Sequence, residues 1–187
     1  MARSMGPGVR RGDGPFCLGR HAMTSRLRPG IIAAVAVLAL DQASKLWLLY
    51  VFDLPHRGAV KVTPFLDLVL AWNVGISFGW FQSDNQATQI ILMIIKAVAV
   101  IVLAIWMARS RTLIATVALG LIIGGAIGNA IDRFAYGAVV DFALFHLQIG
   151  GKTFNWYVFN LADVAIVAGV AALLYDSFLG VPAAKAP

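Results

Sequence analysis

The chain contains no glutamate, so all nine of its acidic residues are aspartates. It has one cysteine, too few for a disulfide, and its three histidines form no cluster with zinc-ligand spacing. Charged residues make up only 13% of the 187 positions, whereas hydrophobic residues make up 60% and the mean hydropathy is +0.81. This composition excludes an ordinary soluble domain and is typical of an integral membrane protein. We therefore expect a membrane protein that needs no metal and no other cofactor.

Four apolar stretches are long enough to cross about 30 Å of hydrocarbon as helices. They cover residues 31–51, 87–107, 113–131 and 159–178. Arg109 and Arg111 lie in the short turn between the second and third stretches, and six arginines precede the first. By the positive-inside rule, both termini then lie in the cytoplasm, and the connections 52–86 and 132–158 lie outside. The first connection alternates weakly, which predicts short strands and an amphipathic piece at the interface.

The N-terminal region is rich in glycine, proline and arginine, and it carries most of the chain's formal charge of +6. We expect residues 1–28 to form a disordered tail, 29–180 a single membrane domain, and 181–187 a short cytoplasmic tail. Met23 is followed by a short basic stretch that is sufficient to orient the first span, so Met23 is a candidate start of translation. The basic charge belongs to this tail and does not indicate a nucleic-acid surface.

Several aspartates lie within or at the ends of the apolar stretches: Asp41, Asp132, Asp141 and Asp163. An ionised aspartate near the bilayer centre costs roughly 2.5–3.5 kcal/mol, so their presence indicates a site. Asp41 and Lys45 are spaced i,i+4 on one helix face, close enough to pair and to neutralise each other. That pair could be purely structural.

The third stretch ends in a polar group formed by Asn129, Asp132 and Arg133. Small residues before them, at 124–128, allow another helix to approach closely, but they do not explain the polar group. Arg133 alone could simply extend to the interface. In the first outside connection, Asn73 is followed by Val74 and Gly75, and an asparagine there can hold a substrate backbone or close a turn.

Asp141 and Asp163 come before and after the start of the last span, so they can meet at one membrane face. Asn160 can cap that span and Asp163 can face its helix dipole, which is a structural alternative. Two carboxylates in a poorly hydrated place share a proton, so one can activate water while the other donates a proton. This is the chemistry of aspartic proteolysis. A proton-coupled transporter or channel and a structural membrane subunit remain as alternatives.

Together, these motifs resemble the lipoprotein signal peptidases, also called signal peptidase II, of bacterial inner membranes. The resembling segments are 41–45, 73–79, 124–133, 140–142 and 159–163, in that order along the chain. The resemblance implies an all-α membrane protein with four transmembrane helices, a small extracytoplasmic β-cradle and an interfacial helix. It also implies an aspartic endopeptidase that removes signal peptides from diacylglyceryl-modified prolipoproteins by cutting before the lipidated cysteine.

Residue by residue, the resemblance implies roles for the polar groups. Asp141 and Asp163 match the catalytic pair, and Asp41 and Lys45 match a structural polar pair. The positions that match site-shaping or substrate-binding residues are Asn73, Gly75, Asn129, Asp132, Arg133 and Asn160. The expected partners are lipidated prolipoproteins and membrane lipid, with no nucleic acid, and the expected state is a monomer. The expected location is the bacterial inner membrane, with the active site toward the periplasmic face.

Overall fold

The structure, a computed structural model, describes residues 15–74 and 86–179. Its helices are α1 (Pro15–Leu46), the one-turn α2 (Leu54–Arg57), α3 (Gln86–Arg109), α4 (Leu113–Tyr136) and α5 (Leu161–Leu179). A π-helical turn, Trp47–Val51, continues α1. The strands are β1 (Val60–Thr63), β2 (Leu66–Asn73), β3 (Val139–Ile149) and β4 (Lys152–Phe159). The described part is therefore mostly helical with one small sheet, as the predicted fold class requires.

Three helical segments of the described residues are long and apolar enough to cross a membrane. They are Leu27–Val51, Leu113–Tyr136 and Leu161–Phe178, which correspond to the first, third and fourth predicted spans. The second predicted span, 87–107, lies within α3, and the count of four spans stays a prediction. The third span is longer than expected, because α4 continues to Tyr136. It ends at Gly137, whose left-handed backbone (φ 75°) lets its N–H bond back to the carbonyl of Arg133.

The N-terminal helix begins earlier than the sequence predicts. Residues 15–28, expected to belong to a disordered tail, are helical, and α1 starts at Pro15. Proline suits the first helical position because its fixed φ matches the helix and its missing N–H is not needed there. Residues 1–14 and 180–187 lie outside the described residues, so the division into tails and one domain remains a prediction.

Helix α4 is central, and glycines bring its neighbours close. At Gly124 an added Cβ would collide with the backbone of Ala34 in α1, and at Gly128 it would lie 2.5 Å from Oδ2 of Asp41. On the side facing α5, a Cβ at Gly125 would lie 2.5 Å from the carbonyl oxygen of Ala162. The close approach of α1 and α5 to α4 therefore depends on these glycines, as the small residues of the third stretch predict.

The sheet is antiparallel, with its strands in chain order, and it is formed by the connections 52–86 and 132–158. The short strands predicted in the first connection are present as β1 and β2. Asp141, which the sequence places in the connection 132–158, lies in β3, where Val139 and Val140 are buried and favour extended backbone. Residues 75–85, including Gly75 and part of the expected interfacial helix, lie outside the described residues.

Candidate active site

The polar groups of α1 and α4 meet at one buried ammonium. Lys45 is 2% exposed, and its Nζ lies 2.8 Å from Oδ2 of Asp41 and 2.7 Å from Oδ2 of Asp132. It also donates to Oδ1 of Asn129 at 3.2 Å. The expected i,i+4 pair of Asp41 and Lys45 is therefore present, but Asp132 pairs with the same lysine. Three charges and one amide thus satisfy each other where water is excluded.

The carboxylates of Asp41 and Asp132 also accept hydrogen bonds from backbone N–H groups of neighbouring elements. Oδ1 of Asp41 accepts the N–H of Ala162, in the first turn of α5, at 3.0 Å. Oδ2 of Asp132 accepts the N–H of Val140, at the start of β3, at 3.1 Å. The first N–H groups of a helix have no partner within the helix, and their partial positive charge favours an anion. This cluster therefore fixes the start of α5 and the start of β3 relative to α1 and α4.

Asn160 and Asp163 cap the N-terminus of α5 through reciprocal hydrogen bonds. The Oδ1 of Asn160 accepts the N–H of Asp163 at 3.0 Å, and Oδ2 of Asp163 accepts the N–H of Asn160 at 3.3 Å. This reciprocal arrangement is a capping box, and it locks the orientation of the Asp163 carboxylate. The other oxygen of Asp163 accepts a hydrogen bond from Nδ2 of Asn129 at 2.8 Å.

Asp141 is brought to the same place by the sheet. Ala71 is its partner in β2, and because alternate residues share a face, Asn73 lies on the same side of the sheet. Oδ2 of Asp141 accepts from Nδ2 of Asn73 at 3.1 Å, and Oδ1 accepts from Nδ2 of Asn160 at 2.6 Å. Asp141 is only 2% exposed although it has no counter-ion as close as the one that Asp41 has.

The environment of Asp141 favours its protonated form. Burial raises the pKa of its carboxyl to about 6, and the negative charge of Asp163 adds to this effect, while the hydrogen bonds from Asn73 and Asn160 partly oppose it. Amides link the two carboxyls, since Asn160 donates to Asp141 and also to Oδ1 of Asn129 at 3.0 Å, and Asn129 donates to Asp163. The pair therefore sits at one end of an ordered hydrogen-bond network, with Asp163 the more exposed member.

Arg133 borders the same site at the end of α4. Its Nη1 donates to the carbonyl oxygen of Asn129 at 3.2 Å, and its charge interacts with Asp141, Asp163 and Asp132. The side chain is half-buried, so part of it stays accessible. An accessible guanidinium near two carboxylates can bind a carbonyl or an anionic group of a ligand.

Comparison with known proteins assigns this arrangement to a family. The model of the family described as "Signal peptidase (SPase) II" matches residues 33–179, which is most of the chain. The chain belongs to the signal peptidase II family. A lipoprotein signal peptidase of Nitrobacter hamburgensis is 76% identical over 161 residues, covering 86% of this chain and 98% of the relative. One from Rhodopseudomonas palustris (strain TIE-1) is 69% identical over the same shares.

Solved structures agree with this assignment. A bacterial membrane enzyme determined by the in meso method at 2.3 Å resolution matches with a TM-score of 0.66 and 27% identity. The match covers 84% of this chain and 94% of that chain. The family membership makes this chain a peptidase, and it does not favour the transporter that the aspartates alone also allowed.

The structure brings together all the predicted site residues that it describes, places Asp132 in the buried cluster around Lys45, and adds Gln42 to that cluster. Asp132, expected with the substrate-contacting group, is 1% exposed and pairs with Lys45. Gln42, not among the predicted site residues, donates to Oδ1 of Asp132 at 2.9 Å and to the carbonyl of Gly128 at 3.2 Å. In the sequence, Gln42 could have been recognised as an amide side chain beside Asp41 within an apolar stretch.

One predicted site residue lies outside the described part of the chain. Gly75, expected to shape the site after Asn73, is not among the described residues. His146, to which sequence analysis assigns no role, is buried, and its Nε2 lies 3.2 Å from Oδ2 of Asp67. The described residues contain no group of histidine, cysteine and acidic side chains that could hold a metal ion.

Proposed function

We propose that this chain is an aspartic endopeptidase that removes signal peptides from diacylglyceryl-modified prolipoproteins by cutting before the lipidated cysteine. Family membership and a relative named lipoprotein signal peptidase at 76% identity support the removal of signal peptides. One observation carries the mechanism. Asp141 and Asp163 come from different elements, and one network of amides holds both carboxyls where water is scarce.

The pair shares one proton, which Asp141 carries. Its raised pKa supports this assignment, and an apolar substrate that covers the site would raise the pKa further. The carboxylate of Asp163 accepts hydrogen bonds from the N–H of Asn160 and from Nδ2 of Asn129, and it lies less deeply buried than Asp141, so it is the member of the pair placed to accept a proton from water. Of the two, Asp163 is therefore the general base and Asp141 the general acid.

In the reaction, Asp163 takes a proton from a water molecule, and the water oxygen attacks the carbonyl carbon of the scissile bond. Asp141 donates its proton to the carbonyl oxygen, so no isolated oxyanion forms in a poorly hydrated site. When the tetrahedral intermediate collapses, the proton on Asp163 passes to the leaving amine and the C–N bond breaks. Asp141 regains its proton from the hydroxyl of the intermediate, which restores the starting state.

The surrounding polar groups keep the pair in position. Asn73 and Asn160 orient the carboxyl of Asp141, and Asn129 orients that of Asp163. Arg133 binds substrate carbonyl groups at the border of the site, and Gly75 is proposed to shape it from the neighbouring segment. The remaining polar groups, Asp41, Lys45 and Asp132, are structural and hold the elements that carry the catalytic pair.

The site lies at the end of α4 opposite the basic turn that contains Arg109 and Arg111. With that turn in the cytoplasm, the site faces the periplasm and both termini are cytoplasmic. We propose a monomer with four spans in the bacterial inner membrane. Its substrate, an apolar signal peptide with acyl chains, approaches through the same lipid phase.

The proposed function is tested by incubating the purified protein in detergent with a prolipoprotein, with and without its diacylglyceryl group. We expect cleavage only of the lipidated form, loss of cleavage in Asp141→Asn and Asp163→Asn, and no effect of a metal chelator. Asp53→Asn is a matched control, because Asp53 is exposed in an outside connection and its left-handed backbone (φ 55°) tolerates asparagine. Cleavage by either catalytic-pair variant near the wild-type rate would refute the assigned roles.

A further inference from the structure

Lys96 is a charged residue in the middle of α3 that the proposed mechanism does not use. Its side chain is half-buried. Among the described residues, no carboxylate lies within ion-pair distance of its ammonium group. A cation placed in an apolar helix is costly, so a lysine at this depth indicates a function.

The side chain of Lys96 faces the protein interior. On α3, Val100, Leu103 and Met107 pack against the core of α4, and the residues on the other side of the helix are exposed. Lys96 precedes Val100 by four positions, so it lies on the same face one turn further toward the start of α3. It is therefore directed at the end of α4 that carries the site and is not directed into the surrounding lipid.

The depth of Lys96 matches that of the site. Lys96 lies thirteen positions before Arg109 at the end of α3, which is a rise of about 20 Å from the cytoplasmic turn. Helical side chains point toward the helix N-terminus, which for α3 is the outer end, so the ammonium lies higher still. The positive charge of Lys96 is near enough to Arg133 to be repelled by it, and Arg133 in turn is attracted by Asp141 and Asp163.

The surface of α4 that Lys96 borders lies between α3 and α5. Helix α4 packs against α1, α3 and α5, whereas the described residues show no comparable packing between α3 and α5. Within the described part of the chain, the surface of α4 between these two helices is therefore not covered by a closely packed helix. Lys96 on α3 and Asp163 on α5 border this surface, so a lipid-linked substrate that enters here meets both.

We propose that Lys96 binds an ester carbonyl oxygen of the diacylglyceryl group on the substrate's cysteine. This inference rests on the proposed function. The ester carbonyls lie a few bonds from the cysteine sulfur, next to the scissile bond, and they are the acceptors that a lipid brings to this depth. Because no carboxylate among the described residues pairs with the ammonium of Lys96, this group gains most from such a bond, and water does not compete for it at this depth. Lys96 thus recognises the lipid modification itself.

The test compares two substrates with equal chain lengths, one with ester-linked acyl chains and one with ether-linked alkyl chains. The assay uses a maltoside detergent, which contains no ester. We expect the wild type to prefer the ester substrate about tenfold in kcat/KM, the value of one charge-assisted hydrogen bond. Lys96→Met, of similar length, should lose this preference, and Lys96→Arg should keep most of it. Lys152→Met, at an exposed position of the β3–β4 hairpin, is the control and should keep all of it.

The preference is a ratio measured in one preparation, so partial misfolding of a variant does not change it. Lys96→Met with an undiminished preference, or a wild type with none, would overturn the proposal. Activity that depends on added ester phospholipid, without preference between substrates, would assign the ester to a bulk lipid and would also overturn it. Failure of the proposed function differs from these results: the wild type would then cleave neither substrate, and the inference would fall with it.

Discussion

Replacing Lys45 by methionine tests the buried charge cluster most directly. In the wild type one ammonium lies 2.8 and 2.7 Å from carboxylate oxygens of Asp41 and Asp132, which are 0% and 1% exposed. Lys45→Met leaves both carboxylates buried without a counter-charge. Breaking a buried pair in this way costs about 3–5 kcal/mol of stability.

Asp41→Asn is a matched change in the same cluster with a smaller expected cost. It leaves Lys45 paired with Asp132, and the single asparagine oxygen can accept either the N–H of Ala162 or the ammonium of Lys45, but not both. The loss is then one hydrogen bond to a charged group, about 1.5–3 kcal/mol. Lys45→Met should therefore be the more destabilising variant, although methionine is the more favourable residue in an apolar helix.

The measurement is the unfolding temperature in detergent, followed by the loss of monodisperse protein on heating. For a protein of this size each kcal/mol shifts that temperature by roughly 2–4 °C, so Lys45→Met should lower it by roughly 6–20 °C. Lys61→Met, an exposed lysine in β1, should change it little. An unfolding temperature for Lys45→Met equal to or above that of Asp41→Asn would refute the argument that this lysine neutralises two buried carboxylates.

Three further predictions follow from the site, the topology and the N-terminus. Because the pKa of Asp141 is raised in the folded state to about 6, its carboxyl favours folding most at low pH, and this contribution is lost as pH rises through that value. The unfolding temperature should then fall between pH 5 and pH 8 by less in Asp141→Asn than in the wild type, and an equal fall would contradict the assignment. Thiol reagents applied to intact cells should label cysteines placed at Lys61 and Lys152 but not Ser110→Cys, and labelling of the last would rule out the four-span topology. Deleting residues 1–22 should leave insertion and prolipoprotein cleavage intact, since the segment Leu27–Val51 alone is long enough to span; loss of either would show that the N-terminal segment has a function.

Some features of this protein were readable from the sequence because they depend on near neighbours along the chain. Apolar stretches of membrane-spanning length predicted the helices, and an aspartate framed by Val139, Val140 and Phe142 marked Asp141 as unusual. The i,i+4 spacing of Asp41 and Lys45 predicted their contact, which is present at 2.8 Å. Sequence reasoning placed Asp141 in the connection 132–158 without assigning it to a strand, because the strand that holds it forms only when β2 pairs alongside.

Tertiary structure decided how the polar residues divide into groups. The sequence placed Asp132 with Asn129 and Arg133 on one helix face, but it could not show that Lys45 of α1 would reach across to it. That contact depends on how closely α1 approaches α4, which the absence of a side chain at Gly128 permits. Asp41 likewise holds the N–H of Ala162, a partner far along the chain.

The sequence by itself determined that this is a membrane protein with acidic residues at one face and a signal peptidase II pattern. Hydropathy, helical spacing and residue order are local properties, so they need no knowledge of which helices are neighbours. Only the tertiary structure decided that Asp141 and Asp163 share a network of amides while Asp41 and Asp132 share a lysine. The physical reason is that hydrogen bonds and ion pairs act over a few ångströms, and only helix and strand packing brings residues from distant parts of the chain within that range.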